Sequence, residues 1–170
     1  NYVLEAVPEI IRKIPETVIY IAGDGPMRES IEQTIIKLSL QDSVTLLGHR
    51  EDIPSIMASL DVIVHPSYAN EGVPQSLLQA MAMKKPVVAS DAGAIKEIVH
   101  NGKTGFLIEP RNPAQIAEKV IELYRNEELR NSLGKEGSCL VENQFYFQMM
   151  MAFMQKVWLC WRKLFQPSIR

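Results

Sequence analysis

The sequence predicts a doubly wound α/β domain, a parallel sheet with helices on both faces. Short β-branched runs alternate with longer stretches of helical periodicity along most of the chain. The strand-like runs are continuously apolar rather than alternating, as expected when both faces of a strand are covered. Glycine-containing loops follow these runs, and right-handed crossovers between parallel strands gather such loops at one end of the sheet.

The first helical pattern opens at Asn1 and carries Val3, Val7, Ile10, Ile11 and Ile14 on its apolar side. An opening inside a helix is expected of a fragment whose N-terminal part is missing. Residues 17–22 form the first predicted strand, followed by a helix over 26–38 with Met27, Ile31, Ile35 and Leu38 in phase. Strands over 43–47 and 61–64 are separated by a helix over 53–59. A helix over 74–84 precedes the fourth strand, 86–90, and a short helix near 94–99 precedes the fifth, 105–108. Asn112 followed by Pro113 is a cap-then-proline start for a helix over 113–124. Helices over about 127–142 and 145–164 close the chain. The expected division is a globular domain over 1–142 and an amphipathic tail over 143–170.

Composition narrows the function classes. A chain of 170 residues, 46% hydrophobic and 22% charged, suits one soluble domain with a real core. A net charge of −2 gives no reason to expect nucleic-acid binding. Cys139 and Cys160 form no CxxC pair, and with His49, His65 and His100 they match no metal-binding spacing. A reduced, cytoplasmic setting is expected, with no signal peptide and no apolar run near the ~20 residues that span a bilayer.

Candidate site residues lie in the loops at the carboxyl ends of the strands. Gly23-Asp24-Gly25-Pro26 is a tight turn with Pro26 at a first helical position, so free N–H groups there can face a ligand or simply turn the chain. Gly48-His49-Arg50 can offer backbone groups to a nucleobase edge, although a histidine and an arginine on a loop are commonly just solvated. His65-Pro66-Ser67 follows the third strand, with His65 expected to be structural. Asp91-Ala92-Gly93-Ala94 follows the fourth, where Gly93 permits close backbone approach, and Glu97 lies just behind it. Asn101-Gly102 is expected to be a structural turn of type I′ or similar geometry. Several glycine-rich loops at one end of one sheet argue for a ligand crevice.

The most informative segment runs from Ser67 to Ala82. It sets Glu71 and Gly72 on a loop leading through Val73 and Pro74 into a helix. A helix start presents unpaired N–H groups and a positive dipole end, which suit a phosphate. Gln75 and Gln79 share one face of that helix, while Leu77, Leu78 and Met81 face the core. Glu71 suits either a dipole-favoured carboxylate or a contact to another part of a phosphorylated ligand.

With Ile21-Ala22-Gly23-Asp24-Gly25-Pro26, Val44-Thr45-Leu46-Leu47-Gly48 and Asp61-Val62-Ile63-Val64-His65-Pro66-Ser67 added, the chain resembles a known family. It is similar to the C-terminal domain of retaining GT-B glycosyltransferases of group 1, also called family 4. Lys85-Pro86-Val87-Val88-Ala89-Ser90 and Glu97-Ile98-Val99 through Gly105 continue the match, which covers roughly residues 1–137. The resemblance implies a Rossmann-like domain that binds a nucleotide diphosphate sugar and a transferase that retains anomeric configuration without a metal or other cofactor. UDP- or GDP-hexoses are the implied donors, and glycan or lipid-linked molecules the implied acceptors. It also implies an N-terminal acceptor domain and a basic Arg…Lys-Gly pair upstream, neither present in this chain.

By the same resemblance Glu71 is the catalytic carboxylate near the transferred sugar. The donor would be bound by Gly23, Asp24, Gly25, Gly48, Ser67, Gly72, Val73, Pro74, Gln75, Ser76, Gln79 and Gly93. The backbone around Val73–Ser76 would receive the diphosphate, and Gln79 stands where the family's Glu-x7-Glu pattern has a ribose-binding glutamate. A glutamine there replaces a charged acceptor by a neutral one. The isolated chain is expected to bind nucleotide weakly and transfer nothing. In the tail, Lys156, Arg162, Lys163 and Arg170 accompany Trp158, Trp161 and several methionines. Such a basic amphipathic segment can pack back across the domain junction or lie on an anionic membrane surface.

Overall fold

The computed structural model describes residues 2–68 and 72–144. The elements run α1 (Tyr2–Lys13), β1 (Ile19–Ala22), α2 (Arg28–Lys37), β2 (Val44–Gly48), α3 (Ile53–Ser59) and β3 (Ile63–His65). They continue with α4 (Gln75–Ala82), β4 (Val87–Ser90), β5 (Phe106–Ile108) and α5 (Pro113–Arg125). A further helix, α6, runs through residues 127–144. The helix expected over 145–164, and the tail with it, lie outside the described residues.

Every strand pairing among the described residues is parallel, in the layered α/β arrangement expected. β1 pairs with β2, and β4 lies between β3 and β5. The ladders are two rather than one continuous sheet, so β1 and β3 each keep one edge without a strand partner among the described residues. Helix α1 lies over both ladders. Its Leu4 and Val7 pack with Ile35, Leu40 and Val44 on the β1–β2 side. Its Ala6 and Ile10 pack with Val88, Phe106, Ile108 and Ile116 on the other.

β4 shows why its sequence is a continuous apolar run. All four of its residues are buried, with Val88 turned toward α1 and α5. Val87 and Ala89 face the opposite layer, where Leu77, Ala80 and Met81 of α4 and Val141 of α6 complete a second core. A strand covered on both faces cannot alternate polar with apolar residues.

Several boundaries differ from expectation. α2 begins at Arg28 rather than at Pro26, because residues 25–28 form a turn in which the Arg28 N–H donates to the Gly25 carbonyl at 3.0 Å. The short helix near 94–99 is a single 3-10 turn, Ile95–Glu97. At Asn101-Gly102 only Gly102 takes a positive φ, 73°, so the turn is not type I′, which needs two such residues. It is structural: buried Thr104 donates to the Ile98 carbonyl and accepts from the His100 N–H, both at 2.8 Å.

Candidate functional site

Two groups of loops stand at the carboxyl ends of the strands, one on each ladder. On the first, β1 and β2 are joined past their ends by the Gly23 N–H, which donates to the Gly48 carbonyl at 2.8 Å. The register slips here, Ile21 opposing Leu46 and Ala22 opposing Gly48. Both glycines have positive φ, 125° at Gly23 and 66° at Gly48, a conformation that a side chain would strain. Arg28 lies against Gly48, its guanidinium 3.5 Å from where a Cβ would stand.

Beside these groups lies an open cavity of about 310 Å³, lined by the apolar Ile21, Ile31 and Leu46 and by Gly23, Asp24, Gly25 and Arg28. That volume is near the lower end for small-molecule sites. Asp24 accepts from the Gly25 N–H at 2.9 Å, and its other oxygen is 3.7 Å from Arg28. Arg28 also donates to Glu32 at 2.9 Å, so two carboxylates offset its charge. In the loop after β2, Arg50 makes two hydrogen bonds of 2.7 Å to Asp52. The Arg50 hydrogen bonds hold the Asp52 carboxyl below its ordinary pKa, and the Asp52 carboxylate raises that of Arg50. Arg50 is therefore occupied locally, while His49 is exposed.

On the second ladder the central feature is the start of α4. Pro74 occupies the N-cap in an extended conformation, and no side chain among the described residues caps the helix. Among the described residues nothing bonds the first amides of α4, the orphan donors that a ligand or water satisfies at a helix start. Val73 is half-buried against the α4 core and Pro74 is buried, which anchors the turn, while Gly72 and Gln75 are exposed. Gln79 lies one turn on from Gln75 and is half-buried, whereas Leu77, Leu78 and Met81 are buried as their spacing predicts. Ser67 is half-buried after β3. Gly93, at φ 54°, follows β4, where the Asp91 N–H is held by the Ile108 carbonyl at 2.8 Å. Glu71 lies outside the described residues.

The structure thus brings Gly23, Asp24 and Gly25 together around one cavity, with Gly48 hydrogen-bonded to Gly23 beside it. It sets Ser67, Gly72, Val73, Pro74, Gln75, Ser76, Gln79 and Gly93 on the second ladder. Sequence reasoning missed a ring cluster beside that second group. Arg111, in the loop after β5, places its guanidinium 4.7 Å from the centroid of the Tyr68 ring. Tyr2 meets the same ring edge-on, with centroids 6.2 Å apart. The three residues are far apart in the chain, and no periodicity connects them.

A larger open groove of about 1010 Å³ lies between α1 and α5, away from these loops. Glu5, Glu9, Glu118 and Glu122 line it and outnumber Lys13 and Arg125, a balance that suits a phosphate poorly. Among the described residues no group of three or more histidine, cysteine, aspartate or glutamate side chains is placed to hold a metal ion. No helix among them is long and apolar enough to cross a membrane.

Comparison with known proteins gives a consistent picture. The family model described as glycosyl transferases group 1 matches residues 1–138. An uncharacterized glycosyltransferase of Methanocaldococcus jannaschii is 38% identical over 119 residues, covering 69% of this chain and 33% of its own. The alpha-D-kanosaminyltransferase of Streptomyces kanamyceticus is 32% identical over 143 residues, covering 82% and 36%. The chain therefore spans about a third of the length of the curated relatives it matches. Among solved structures, the Anabaena protein HepE in complex with UDP superposes with a TM-score of 0.80 at 25% identity, covering 92% of this chain and 44% of that one. The C-terminal domain of a group 1 glycosyl transferase from Francisella tularensis superposes with a TM-score of 0.76 at 30% identity, covering 85% and 77%.

Proposed function

Because the chain belongs to the group 1 glycosyl transferases, we propose that it is the donor-binding half of a retaining hexosyltransferase. The donor is a nucleotide diphosphate sugar and the acceptor a glycan or glycolipid. The observation that carries this reading is the uncapped start of α4 at the carboxyl end of the β3–β4–β5 ladder. Unpaired amides there offer hydrogen bonds and a favourable dipole to a diphosphate. The Anabaena neighbour solved with UDP and with UDP-glucose supports the same ligand class.

The proposed roles follow the chemistry of the groups. The backbone of Val73–Ser76 receives the diphosphate, and charge developing on the leaving nucleotide is stabilised by fixed N–H donors that need not reorganise. Gln79 hydrogen-bonds the ribose from the same face of α4 as Gln75. The cavity rimmed by Gly23, Asp24 and Gly25, with Gly48 beside it, takes the nucleoside end. Glu71 positions the transferred sugar or stabilises charge on it, and no step is assigned to a metal ion. The acceptor attacks from the leaving-group side, held by an N-terminal domain beyond this chain. The 170-residue chain alone binds nucleotide weakly and transfers nothing. A cytoplasmic setting, with the tail packed at the domain junction or touching a membrane, completes the proposal.

A second reading, a nucleotide-sugar binding module without transfer, is favoured by one observation, the neutral Gln79. Calorimetric titration of the full-length protein with UDP, GDP and ADP tests the site and identifies the base. One of the three is expected to bind in preference to the others. Binding of none of them would refute the donor-site assignment. Binding without sugar transfer would favour the second reading.

A further inference from the structure

Arg28, the first residue of α2, lines the cavity beside β1 and β2, and none of the roles proposed above uses it. Its Nε donates to Glu32 at 2.9 Å, one turn along the same helix, which fixes where the guanidinium lies. Nη1 is 3.7 Å from Asp24, beyond hydrogen-bond reach, and 3.5 Å from where a Cβ on Gly48 would stand. Neither Nη group is hydrogen-bonded among the described residues. Other donors around the cavity are already engaged within the loops. The Gly23 N–H donates to the Gly48 carbonyl at 2.8 Å, the Gly25 N–H to the Asp24 carboxylate at 2.9 Å, and the Arg28 N–H to the Gly25 carbonyl at 3.0 Å. The Arg28 guanidinium is thus a held group that retains unpaired donors beside the cavity.

Its neighbours decide what such a group can select. Asp24 and Glu32 set two carboxylates beside one cation, so the local charge is net negative and opposes a phosphate. A neutral acceptor meets no such repulsion and receives a charge-assisted hydrogen bond. Ile21, Ile31 and Leu46 supply the apolar lining that suits the face of a planar ring. A ring with a neutral acceptor on its edge describes a nucleobase carbonyl. We propose, on the basis of the donor role stated above, that Arg28 is the residue that reads the base of the nucleoside diphosphate. Its Nη groups donate to a ring carbonyl, so the site favours a base that carries one, uracil or guanine, over adenine, which carries none. Adenine presents an amino group where guanine has its carbonyl, and a guanidinium has no acceptor to offer that donor.

The test measures affinity for UDP, GDP and ADP in the full-length protein, wild type beside Arg28→Met and Arg28→Lys, with the melting temperature of each. Arg28→Met keeps an unbranched stem and removes the donors. Its ion pairs are exposed, so the melting temperature is expected to hold. The wild type is expected to bind UDP or GDP more tightly than ADP. Arg28→Met is expected to lower affinity for that preferred nucleotide about five- to tenfold, the factor that a charge-assisted hydrogen bond represents, and to leave affinity for ADP as it was. Arg28→Lys keeps a charged donor and recovers part of the loss. Unchanged affinity for the preferred nucleotide in Arg28→Met would overturn the proposal. Equal losses for every nucleotide bound, with a lower melting temperature, would overturn it as well, because a structural role makes no distinction among bases. A wild type that prefers ADP would overturn this proposal and leave the donor role standing. One that binds none of the three would overturn the donor role and this proposal with it.

Discussion

Gln79 is half-buried in α4, one turn beyond exposed Gln75, and its side-chain amide has no hydrogen-bond partner among the described residues. If it meets the ribose, a carboxylate in its place would accept a stronger, charge-assisted hydrogen bond. Gln79→Glu is therefore expected to tighten nucleotide binding about five- to tenfold, the equivalent of roughly 1 kcal/mol. Titration of both proteins with the same nucleotide checks this, and equal affinity would remove Gln79 from the ribose. The position of Gln79 on α4 was legible because spacing of four on a helix defines a face. The Tyr68–Arg111 stack was not, because a left-handed arginine and a ring on another loop leave no mark in local sequence.

Elements show the same division. The start of α5 was legible at Asn112-Pro113, and the Asn112 side chain does cap it, accepting from the Gln115 N–H at 3.1 Å. The start of α2 was misplaced by two residues, because Pro26 suits a turn as well as a first helical position. In α6, Gly134 stands where a Cβ would come within 2.1 Å of the Lys84 carbonyl oxygen, just past the end of α4. Alanine for glycine inside a helix ordinarily gains about 1 kcal/mol. Here the clash with backbone outweighs that gain, and Gly134→Ala is expected to destabilise the protein by about 1–3 kcal/mol. Urea denaturation measures it, and an unchanged or raised midpoint would show that α6 can move off α4 without loss.

At the scale of the whole molecule, the two ladders share α1 as a common cover, while β1 and β3 each keep an edge with no strand partner among the described residues. The Ile19 N–H is bonded to Ser43 and the Ile63 N–H to Pro86, so the intervening N–H groups of Tyr20 and Val64 point to the open edges. In the 170-residue chain the amides of Tyr20 and Val64 are expected to exchange with solvent faster than those of Ile19 and Ile63. Hydrogen-exchange NMR reads this directly, and equal protection at all four would mean that the ladders close into one sheet.

The sequence by itself determined the class of fold, because apolar runs without alternation demand strands covered on both faces and helical periodicity supplies the covers. It also determined which loops carry the candidate site, since parallel strands send every following loop to the same end. Tertiary structure alone decided that the strands form two ladders beneath one helix and that Gly23 and Gly48 share a hydrogen bond beside a cavity. It alone decided that Arg111 lies over Tyr68. The physical reason is range. Periodicity and capping act within a few residues, whereas edges, cavities and ring contacts arise from segments that meet only when the chain has packed.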